Sequence, residues 1–336
     1  MPPNPLPPGL MLVHGNHPEA LRDLLVTWMR RYPLAALETE TLLVHSNGIA
    51  QWLRLALAED ADDALGGGCG IAAGLDMSLP SRFLWQVYRA VLGREGVPEQ
   101  SPFDKSLLTW RLMRLLPELL KQASYAPLHR FLSADADLRK RFQLAERLAD
   151  LFDQYQVYRA DWLAAWAAGE DVLIRAAGDC APLPDEQRWQ ACLWRALLAD
   201  VAAAEGGDTL AGRGRAAVHE AFLRRVAAWP DEQRAAGLPR RVMVFGISAM
   251  PRQSLEVLAA LARWTQVLMC VHNPCEHFWA DIVADKDLLR ATRNRQQRRI
   301  DMPAEIAEEN LHLHAHPLLA AWGKQGRDFI GLLDEH

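Results

Sequence analysis

The chain has 336 residues, half of them hydrophobic, which is enough for two domains or for one domain with a large insertion. Its formal net charge of −5 argues against a protein that coats DNA by bulk charge attraction, although a locally basic groove could still guide a strand. Charged residues interrupt the apolar stretches well before membrane-spanning length, and an odd number of irregularly spaced cysteines favours a reduced cytoplasm.

The chain begins with a proline-rich stretch that has neither a basic n-region nor an apolar core, so we expect residues 1–10 to be a disordered leader. The apolar run Leu10–His14 then predicts a buried strand, which leads through a short turn into an amphipathic helix from Pro18. A second unit of the same kind follows, with a strand at Thr41–His45, a turn at Ser46–Gly48 and a further helix. Two such units in succession open the motor domains of P-loop helicases.

The first turn lacks the residues that bind a triphosphate in those helicases, where the pattern is G-x-x-x-x-G-K-[ST]. Here it has neither a lysine nor a second glycine, and the chain's one Gly-Lys pair, Gly323-Lys324, has no upstream glycine. No acidic D-E-x-x box follows the late strand Arg241–Ile247, so nothing is placed to hold Mg²⁺ or to orient an attacking water. We therefore expect a helicase-like fold without an ATPase, with no catalytic residues, no cofactor and no metal.

Strand-like and helical patterns occupy different parts of the chain. The strand-like runs predict a parallel sheet and lie at Leu10–His14, Thr41–His45, Gly70–Leu75, Arg241–Ile247 and Thr265–His272. Helical periodicity fills the middle, at Lys105–Glu118, Leu138–Tyr158, Glu186–Glu205 and Ala216–Trp229. The predicted fold is α/β: a RecA-like parallel sheet with an all-helical insertion, the layout of domains 1A and 1B in superfamily 1 helicases. We place domain 1A at residues 11–103 and 236–336, and domain 1B at residues 104–235.

Several short stretches, in order along the chain, carry a specific resemblance. They lie at Leu43–Leu53, Leu79–Trp85, Ala149–Tyr155, Val157–Leu163, Phe245–Ala249, Asn273–Cys275 and His316–Lys324. In these stretches the chain resembles the N-terminal portion of the RecC family, the gamma subunit of the RecBCD helicase–nuclease (exodeoxyribonuclease V). Members of that family are far longer, so the resemblance implies a fragment that ends after the first helicase-like domain.

The resemblance implies a cytoplasmic, non-catalytic DNA-binding subunit that acts in double-strand break repair by homologous recombination. Such a subunit assembles with RecB-like and RecD-like subunits into a heterotrimer, guides the unwound 3′-ending single strand, and recognises the hotspot Chi. An alternative from a different class is a structural scaffold that holds the partner subunits without reading DNA. An active helicase or nuclease is disfavoured by the missing phosphate-binding turn and acidic box.

The family's Chi-reading surface carries over to eleven positions. They are His45, Asn47, Gln51, Leu79, Trp85, Asp150, Leu151, Asp153, Gln154, Arg159 and Arg215. His45 and Asn47 stand where the enterobacterial pattern has Gln and Thr, so we do not expect the enterobacterial Chi octamer to be read unchanged. The match at Arg215 rests on the least regular stretch, because a variable-looking loop, residues 206–214, precedes it.

Several of these residues have a plain structural interpretation. Trp52 is expected in the core, and a core position is nearly as probable as a base contact for Trp85. Asp150, Asp153 and Arg159 have a spacing that is common on a solvated helix face with weak ion pairs. Carboxylates would also repel a phosphate backbone, so they suit a DNA channel only if they accept from base amino groups or fix arginines.

Three further signals are weaker. The run Cys270–His277 resembles a zinc cluster, but half of it reads as a strand and no second C-x-x-C pair exists, so core cysteines beside a polar loop are expected. The alternating His312, His314 and His316 are assigned to a solvated loop. The basic run Arg293–Arg299 is either an exposed helix face or a contact for phosphate or a partner.

Overall fold

The structure, a computed structural model, describes residues 7–61, 67–132, 138–175, 179–205, 207, 209–230, 234–274 and 322–334. The chain divides into two compact units. Unit 1 comprises Met1–Leu84, Asp231–Arg234 and Leu238–His336, and unit 2 comprises Trp85–Pro230 and Ala235–Gly237. The units meet in the sequence after Leu84, whereas the predicted 1A/1B boundary follows residue 103. The assignment of these units to domains 1A and 1B remains a prediction.

Strands and helices are numbered in chain order. The strands are β1 (Gly9–Gly15), β2 (Glu40–Val44), β3 (Leu75–Ser78), β4 (Val172–Ile174), β5 (Cys180–Pro182), β6 (Arg241–Phe245) and β7 (Gln266–His272). The helices are α1 (Pro18–Arg31), α2 (Asn47–Ala58), α3 (Pro80–Leu92), α4 (Lys105–Leu119), α5 (Ala126–Leu132), α6 (Leu138–Tyr158), α7 (Ala160–Ala167), α8 (Arg188–Ala204), α9 (Arg215–Ala227), α10 (Arg252–Leu261) and α11 (Lys324–Leu333). Short 3₁₀ turns lie at Ala123–Tyr125, Asp185–Gln187 and Ala211–Arg213.

Unit 1 is built on a five-stranded parallel sheet with the strand order β1-β7-β6-β2-β3. Every residue of the inner strands β2 and β6 is buried, which explains the apolar runs Leu42–Val44 and Val242–Phe245 within them. Leu25 of α1 and Leu53 of α2 are fully buried in the same core as Met243 and Leu268 of the sheet. The predicted α/β class with a parallel sheet is therefore confirmed.

One strand prediction was wrong. The predicted strand covers residues 70–75, but residues 70–74 are not a strand, because Gly70 and Gly74 have φ angles of +75° and +64°. These left-handed conformations turn the chain, and the strand begins only at Leu75. The hydropathy pattern therefore predicts this strand too early in the chain.

A buried ion pair joins two strands of this sheet. The guanidinium of Arg241, on β6, contacts both carboxylate oxygens of Glu40 on β2, with Nε 3.0 Å from Oε2. Its Nη1 donates to the backbone carbonyl of Tyr32, which follows α1, at 2.8 Å. The side chain of Arg241 has no exposed surface. A charge buried so deeply is tolerated only because these acceptors surround it.

In the residues that the structure describes, the regular secondary structure of unit 2 is helical apart from the small β4–β5 hairpin. Its core is aromatic, and Phe152 of α6 stacks on Trp194 of α8 with ring centroids 5.7 Å apart. Helices α4 and α6 run in opposite directions, since Lys105 contacts Asp150 at one end of the pair while Trp110 contacts Phe142 further along. Among the described residues, no helix is both long and apolar enough to cross a membrane.

Gly246 is a position where the fold of unit 1 requires glycine. It follows β6 with a φ of +68°, and a Cβ added there would lie 2.7 Å from Cδ1 of Ile49 on α2. We expect Gly246→Ala to lower the free energy of unfolding by about 1–2 kcal/mol through the left-handed backbone alone, with the crowding against Ile49 adding to that loss. Urea denaturation followed by far-UV circular dichroism measures the change.

The matched control is Gly70→Ala in the same unit. Gly70 has a similar φ of +75°, but no heavy atom lies within 4 Å of its added Cβ. Its substitution should therefore show the backbone cost without the crowding. Equal losses at the two glycines would mean that Ile49 moves aside freely and that the close approach has no energetic weight.

Candidate nucleic-acid interface

The carboxyl edge of the sheet in unit 1 collects the turns that follow its strands. All five strands are parallel, so their carboxyl ends meet at one edge, where ligands bind in open α/β sheets. The register pairs Leu43 of β2 with Ser78 of β3, and Val44 with Phe245 of β6. The residues just after β2, β3 and β6 therefore lie side by side.

The turn after β2 and the start of α2 carry three of the predicted contact residues. His45 lies in the turn, Asn47 and Gln51 lie on α2, and all three are exposed. Ser46 caps α2, because its Oγ accepts from the backbone N–H of Ile49 at 3.3 Å. Asn47 and Gln51 are four residues apart on α2, so they share one face of its first turn. The positive end of the helix and three polar side chains capable of hydrogen bonding thus face solvent together.

Leu79 joins this edge from β3. It is half exposed, and its carbonyl accepts from the backbone N–H groups of Arg82 and Phe83 at the start of α3. Four of the eleven predicted residues therefore lie on the carboxyl edge of unit 1: His45, Asn47, Gln51 and Leu79.

The turn between β1 and α1 has a different character. Only Asn16 and His17 separate the strand from the helix, and the helix begins with Pro18, which has no backbone N–H. A Cβ added at Gly15 would lie 2.8 Å from Cδ2 of Leu21, so α1 packs closely over the end of the strand. This turn has neither the length nor the amide donors of a triphosphate cradle.

The two tryptophans near the predicted DNA-contact residues, Trp52 and Trp85, both make contacts within the protein. Trp52 is half-buried against the core of unit 1, 5.9 Å from the ring of Phe245, which confirms its expected core position. Trp85 belongs to unit 2, is half-buried, and donates its Nε1–H to the carbonyl of Pro98 at 2.9 Å. A base contact for Trp85 would therefore use its ring face only, and such a contact remains a prediction.

In unit 2 the structure brings four of the predicted residues together with two others. We name this group the reader cluster: Asp104, Lys105, Asp150, Asp153, Gln154 and Arg215. On α6, Asp150 accepts from Lys105 Nζ at 2.8 Å and from Gln154 Nε2 at 3.1 Å. Lys105 and Gln154 are exposed, so this part of the cluster faces solvent.

Arg215 is held by two carboxylates of the cluster. It begins α9, and its Nη2 lies 2.8 Å from Asp104 Oδ1 while its Nη1 lies 3.3 Å from Asp153 Oδ1. Asp104 immediately precedes α4 and Asp153 lies on α6, so the guanidinium at the start of α9 connects three helices. Carboxylates are expected to suit a DNA channel if they fix an arginine. Asp153 makes such a contact with Arg215.

The pKa values of the two carboxylates on α6 are shifted in opposite directions. The hydrogen bond from Lys105 is the main reason that the pKa of Asp150 is lowered. For Asp153, burial raises the pKa, and the nearby Arg215 only partly opposes that effect. Asp150 is therefore the more firmly ionised of the pair, and Asp153 takes up a proton more readily.

Arg159 does not join the reader cluster. Helix α6 ends at Tyr158, and Arg159 forms a double hydrogen bond with Asp161, with Nε 3.0 Å from Oδ1 and Nη2 2.7 Å from Oδ2. Its Nη2 also donates to the carbonyl of Ile174, and its Cζ lies 3.8 Å from the centre of the Trp162 ring. The interpretation of Arg159 as a weakly paired residue on the α6 face was wrong, because the chain leaves the helix before it. The remaining predicted residue, Leu151, is half-buried on α6.

The weaker sequence signals fall partly outside the structure. The basic run Arg293–Arg299, the histidines 312, 314 and 316, and Cys275 and His277 all lie outside the described residues. Cys270 is buried in β7, as expected for a core cysteine, and burial raises its pKa to about 12. Within the described part of the chain, no group of three or more His, Cys, Asp or Glu side chains is arranged to hold a metal ion.

Sequence reasoning missed two members of the reader cluster, Asp104 and Lys105. Lys105 is 45 residues from its partner Asp150, and Asp104 is 111 residues from Arg215. No periodicity connects residues so distant. A weak signal existed in Asp104 itself, since an aspartate just before a helical pattern commonly marks a helix start.

Comparison with known proteins gives a consistent result. Residues 10–336 match the family model for RecC, N-terminal domain. The chain is 33% identical to the RecBCD enzyme subunit RecC of Haemophilus influenzae over 97% of this chain and 31% of that protein. It is 36% identical to the RecBCD enzyme subunit RecC of Escherichia coli over 97% of this chain and 28% of that protein. For the RecBCD enzyme subunit RecC of Mycobacterium tuberculosis the identity is 26%, over 86% of this chain and 23% of that protein.

The chain therefore spans less than a third of the length of these relatives. The match covers the region of the short stretches in which the sequence showed its resemblance. The chain belongs to the RecC family, within that family's N-terminal domain.

Proposed function

We propose that this chain guides and reads single-stranded DNA within a RecBCD-type helicase–nuclease that acts in double-strand break repair by homologous recombination. Its partners are RecB-like and RecD-like subunits, and its ligand is the unwound 3′-ending strand, which it scans for a Chi-type hotspot. The relatives carry the name of RecBCD enzyme subunits, which supports assembly into such a complex.

The observation that carries the reading role is the fixed geometry of the reader cluster. Arg215 is held between Asp104 and Asp153, so its guanidinium keeps a defined direction and loses little freedom when it binds. Beside it, Gln154 is exposed, and an amide can donate to and accept from a base edge. Paired carboxylates and arginine with a neutral amide suit the reading of unstacked bases better than the coating of a phosphate backbone.

The chain is proposed to contribute no ATP hydrolysis of its own. The two-residue turn Asn16–His17, closed by Pro18, offers no cradle for a triphosphate. The turn after β6 reads Gly246-Ile247-Ser248 and has no carboxylate for Mg²⁺. Energy for strand movement must then come from the partner subunits.

A scaffold role is the second candidate, and one observation favours it. Arg159 and Trp85, both predicted to contact DNA, form hydrogen bonds within the protein. Arg159 donates to Asp161 and to the carbonyl of Ile174. Trp85 donates to the carbonyl of Pro98. If the side chains of the other predicted residues were also hydrogen-bonded within the protein, the chain would hold its partners without reading the strand.

Substitution of Gln154 separates these two roles. The complete RecC-family subunit that contains this chain would be reconstituted with its helicase and nuclease partners on end-labelled linear DNA, and the stops in degradation of the 3′-ending strand mapped. For Gln154→Ala we expect sequence-linked stops to fall by about 5- to 100-fold, the range for one specific base contact, while unwinding continues.

The matched control is Gln86→Ala, an exposed glutamine on α3 that lies outside the reader cluster. It should leave both stops and unwinding unchanged. Stops of equal strength in wild type and Gln154→Ala would favour the scaffold role. Loss of unwinding in Gln154→Ala alone would instead indicate a general strand contact without sequence reading.

A further inference from the structure

An exposed aromatic pair lies on unit 2 away from the residues that the family resemblance identifies. Trp110 of α4 and Phe142 of α6 have ring centroids 5.7 Å apart at an interplanar angle of 50°. Trp110 is 65% exposed and Phe142 is 36% exposed. The core of unit 2 buries Trp166 and Trp194 completely, so aromatic rings left in solvent here are not needed to fill it.

The charge around the pair has one dominant sign, although the whole chain has a net charge of −5. Helix α4 and residues 138–153 of α6 carry seven basic and four acidic residues, and Asp200 of α8 pairs with two of the arginines, Arg111 and Arg114. The basic residues are Lys105, Arg111, Arg114, Arg139, Lys140, Arg141 and Arg147, and the acidic ones are Glu118, Glu146, Asp150 and Asp153.

One of these cations is positioned on the same helix face as a ring of the pair. Arg114 lies one turn beyond Trp110 on α4 and bonds to Asp200 while its side chain stays 62% exposed. Lys140 lies two residues before Phe142 and therefore on a different face of α6, with its Nζ 5.3 Å from the ring centre of Phe131, another exposed aromatic side chain. An exposed, positioned arginine therefore accompanies the aromatic pair.

The pair lies in line with the reader cluster. From Phe142 to Asp153 is about three turns of α6, roughly 16 Å, and the two residues lie on nearly the same helix face. On α4, Trp110 lies just over one turn from Lys105, which pairs with Asp150. A strand that crosses the reader cluster along the α4–α6 seam would meet the aromatic pair within a few nucleotides.

We propose that Trp110 and Phe142 form a base-stacking platform for the single strand that passes the reader cluster. This inference rests on the proposed function of the chain as a strand guide. Stacking on an exposed ring accepts any base, and surrounding cations attract the phosphates, which is how single strands are held without sequence preference. A protein partner would need an acidic surface to match this excess of positive charge, whereas every single strand carries the matching negative charge in its phosphates.

The platform and the reader cluster should have different effects on the strand. The platform raises affinity for every sequence, whereas Gln154 and Arg215 raise it for the hotspot. Loss of the platform should therefore weaken strand contact and leave the position of the stops unchanged.

Photocrosslinking tests the proposal in the reconstituted complex. A partly unwound duplex whose 3′-ending strand contains 5-iododeoxyuridine is bound without ATP and irradiated, and crosslinked peptides are identified by mass spectrometry. We expect crosslinks in the peptides of Trp110 or Phe142. With Trp110→Leu their yield should fall by about 5- to 10-fold, the lower part of the range for one stacking ring, and Trp110→Phe should restore most of it.

Trp322→Leu is the matched control, because Trp322 is 82% exposed in unit 1. It should leave the yield unchanged. Unchanged crosslinking in a Trp110→Leu, Phe142→Leu double variant, or no crosslinks at this surface in wild type, would overturn the proposal. So would a folded Trp110→Leu subunit that fails to assemble, since the surface would then dock a protein.

Failure of this proposal is distinguishable from failure of the proposed function. If crosslinks are absent here but Gln154→Ala still removes the stops, the chain reads DNA without the platform. If crosslinks appear here and Gln154→Ala leaves the stops intact, the chain guides a strand without reading it.

Discussion

Arg241→Ala should lower the free energy of unfolding by about 3–5 kcal/mol, the usual loss when one partner of a buried ion pair is removed. The guanidinium is fully buried and contacts both carboxylate oxygens of Glu40 and the carbonyl of Tyr32. Alanine would leave that carboxylate, whose side chain is only 11% exposed, without its guanidinium donor. Because domains are stable by only about 5–15 kcal/mol, urea denaturation followed by circular dichroism should show the loss clearly.

The adjacent residue provides a matched control. Arg240 pairs with Glu38 at 3.4 Å, and its side chain is 38% exposed, so Arg240→Ala should change stability by about 1 kcal/mol or less. A loss at Arg240 as large as that at Arg241 would show that general charge, and not burial, governs the effect. Replacing the buried pair with the apolar pair Glu40→Leu and Arg241→Met should recover most of the stability, since no unpaired charge remains.

Sequence patterns located most elements of the sheet but could not show how they pair. Strands β2 and β6 contain the apolar runs Leu42–Val44 and Val242–Phe245 because both of their faces are buried, and such runs can be recognised from the sequence. The Glu40–Arg241 pair was not readable, because 201 residues separate its members and only the strand order brings them together. The error at Gly70–Leu75 has a local cause, since two glycines with positive φ turn a segment that hydropathy alone assigns to a strand.

The candidate site was predictable to a similar extent. The exposed turn at His45, Asn47 and Gln51 follows directly from a strand-turn-helix pattern. Arg215 came from the family resemblance, and its contact with Asp153 depends on the packing of α9 against α6, which periodicity does not give. The helical pattern ends at Tyr158, as α6 does, so the error over Arg159 came from residue spacing alone, which grouped it with the carboxylates of α6.

Arg215→Ala should have the largest effect on hotspot reading, a loss of sequence-linked stops of about 30-fold or more. That value corresponds to about 2 kcal/mol or more, which lies within the range of about 1–3 kcal/mol for one good bidentate contact to a base. The variant removes a positioned cation and also leaves the carboxylates Asp104 and Asp153 without it, so the strand meets two uncompensated negative charges. The same stop-mapping assay measures this loss, and unwinding should continue.

Arg224→Ala is the control on the same helix. Arg224 is 70% exposed and lies 3.9 Å from Glu220, a surface pair whose removal should alter neither stops nor stability. A loss of stops in this variant would mean that the net charge of α9 matters and that the position of Arg215 does not.

Asp153→Asn distinguishes how Asp153 acts. If Asp153 serves to hold Arg215, then Asp153→Asn alone should weaken the stops, because one of the two anchors of the guanidinium is lost. In the Arg215→Ala background the same change should then raise the stops partway back, since it removes one repelling charge. If Asp153 instead accepts a hydrogen bond from a base amino group, the double variant should be worse than Arg215→Ala alone. The sign of the coupling between the two substitutions therefore decides whether Asp153 positions the reading arginine or reads a base itself.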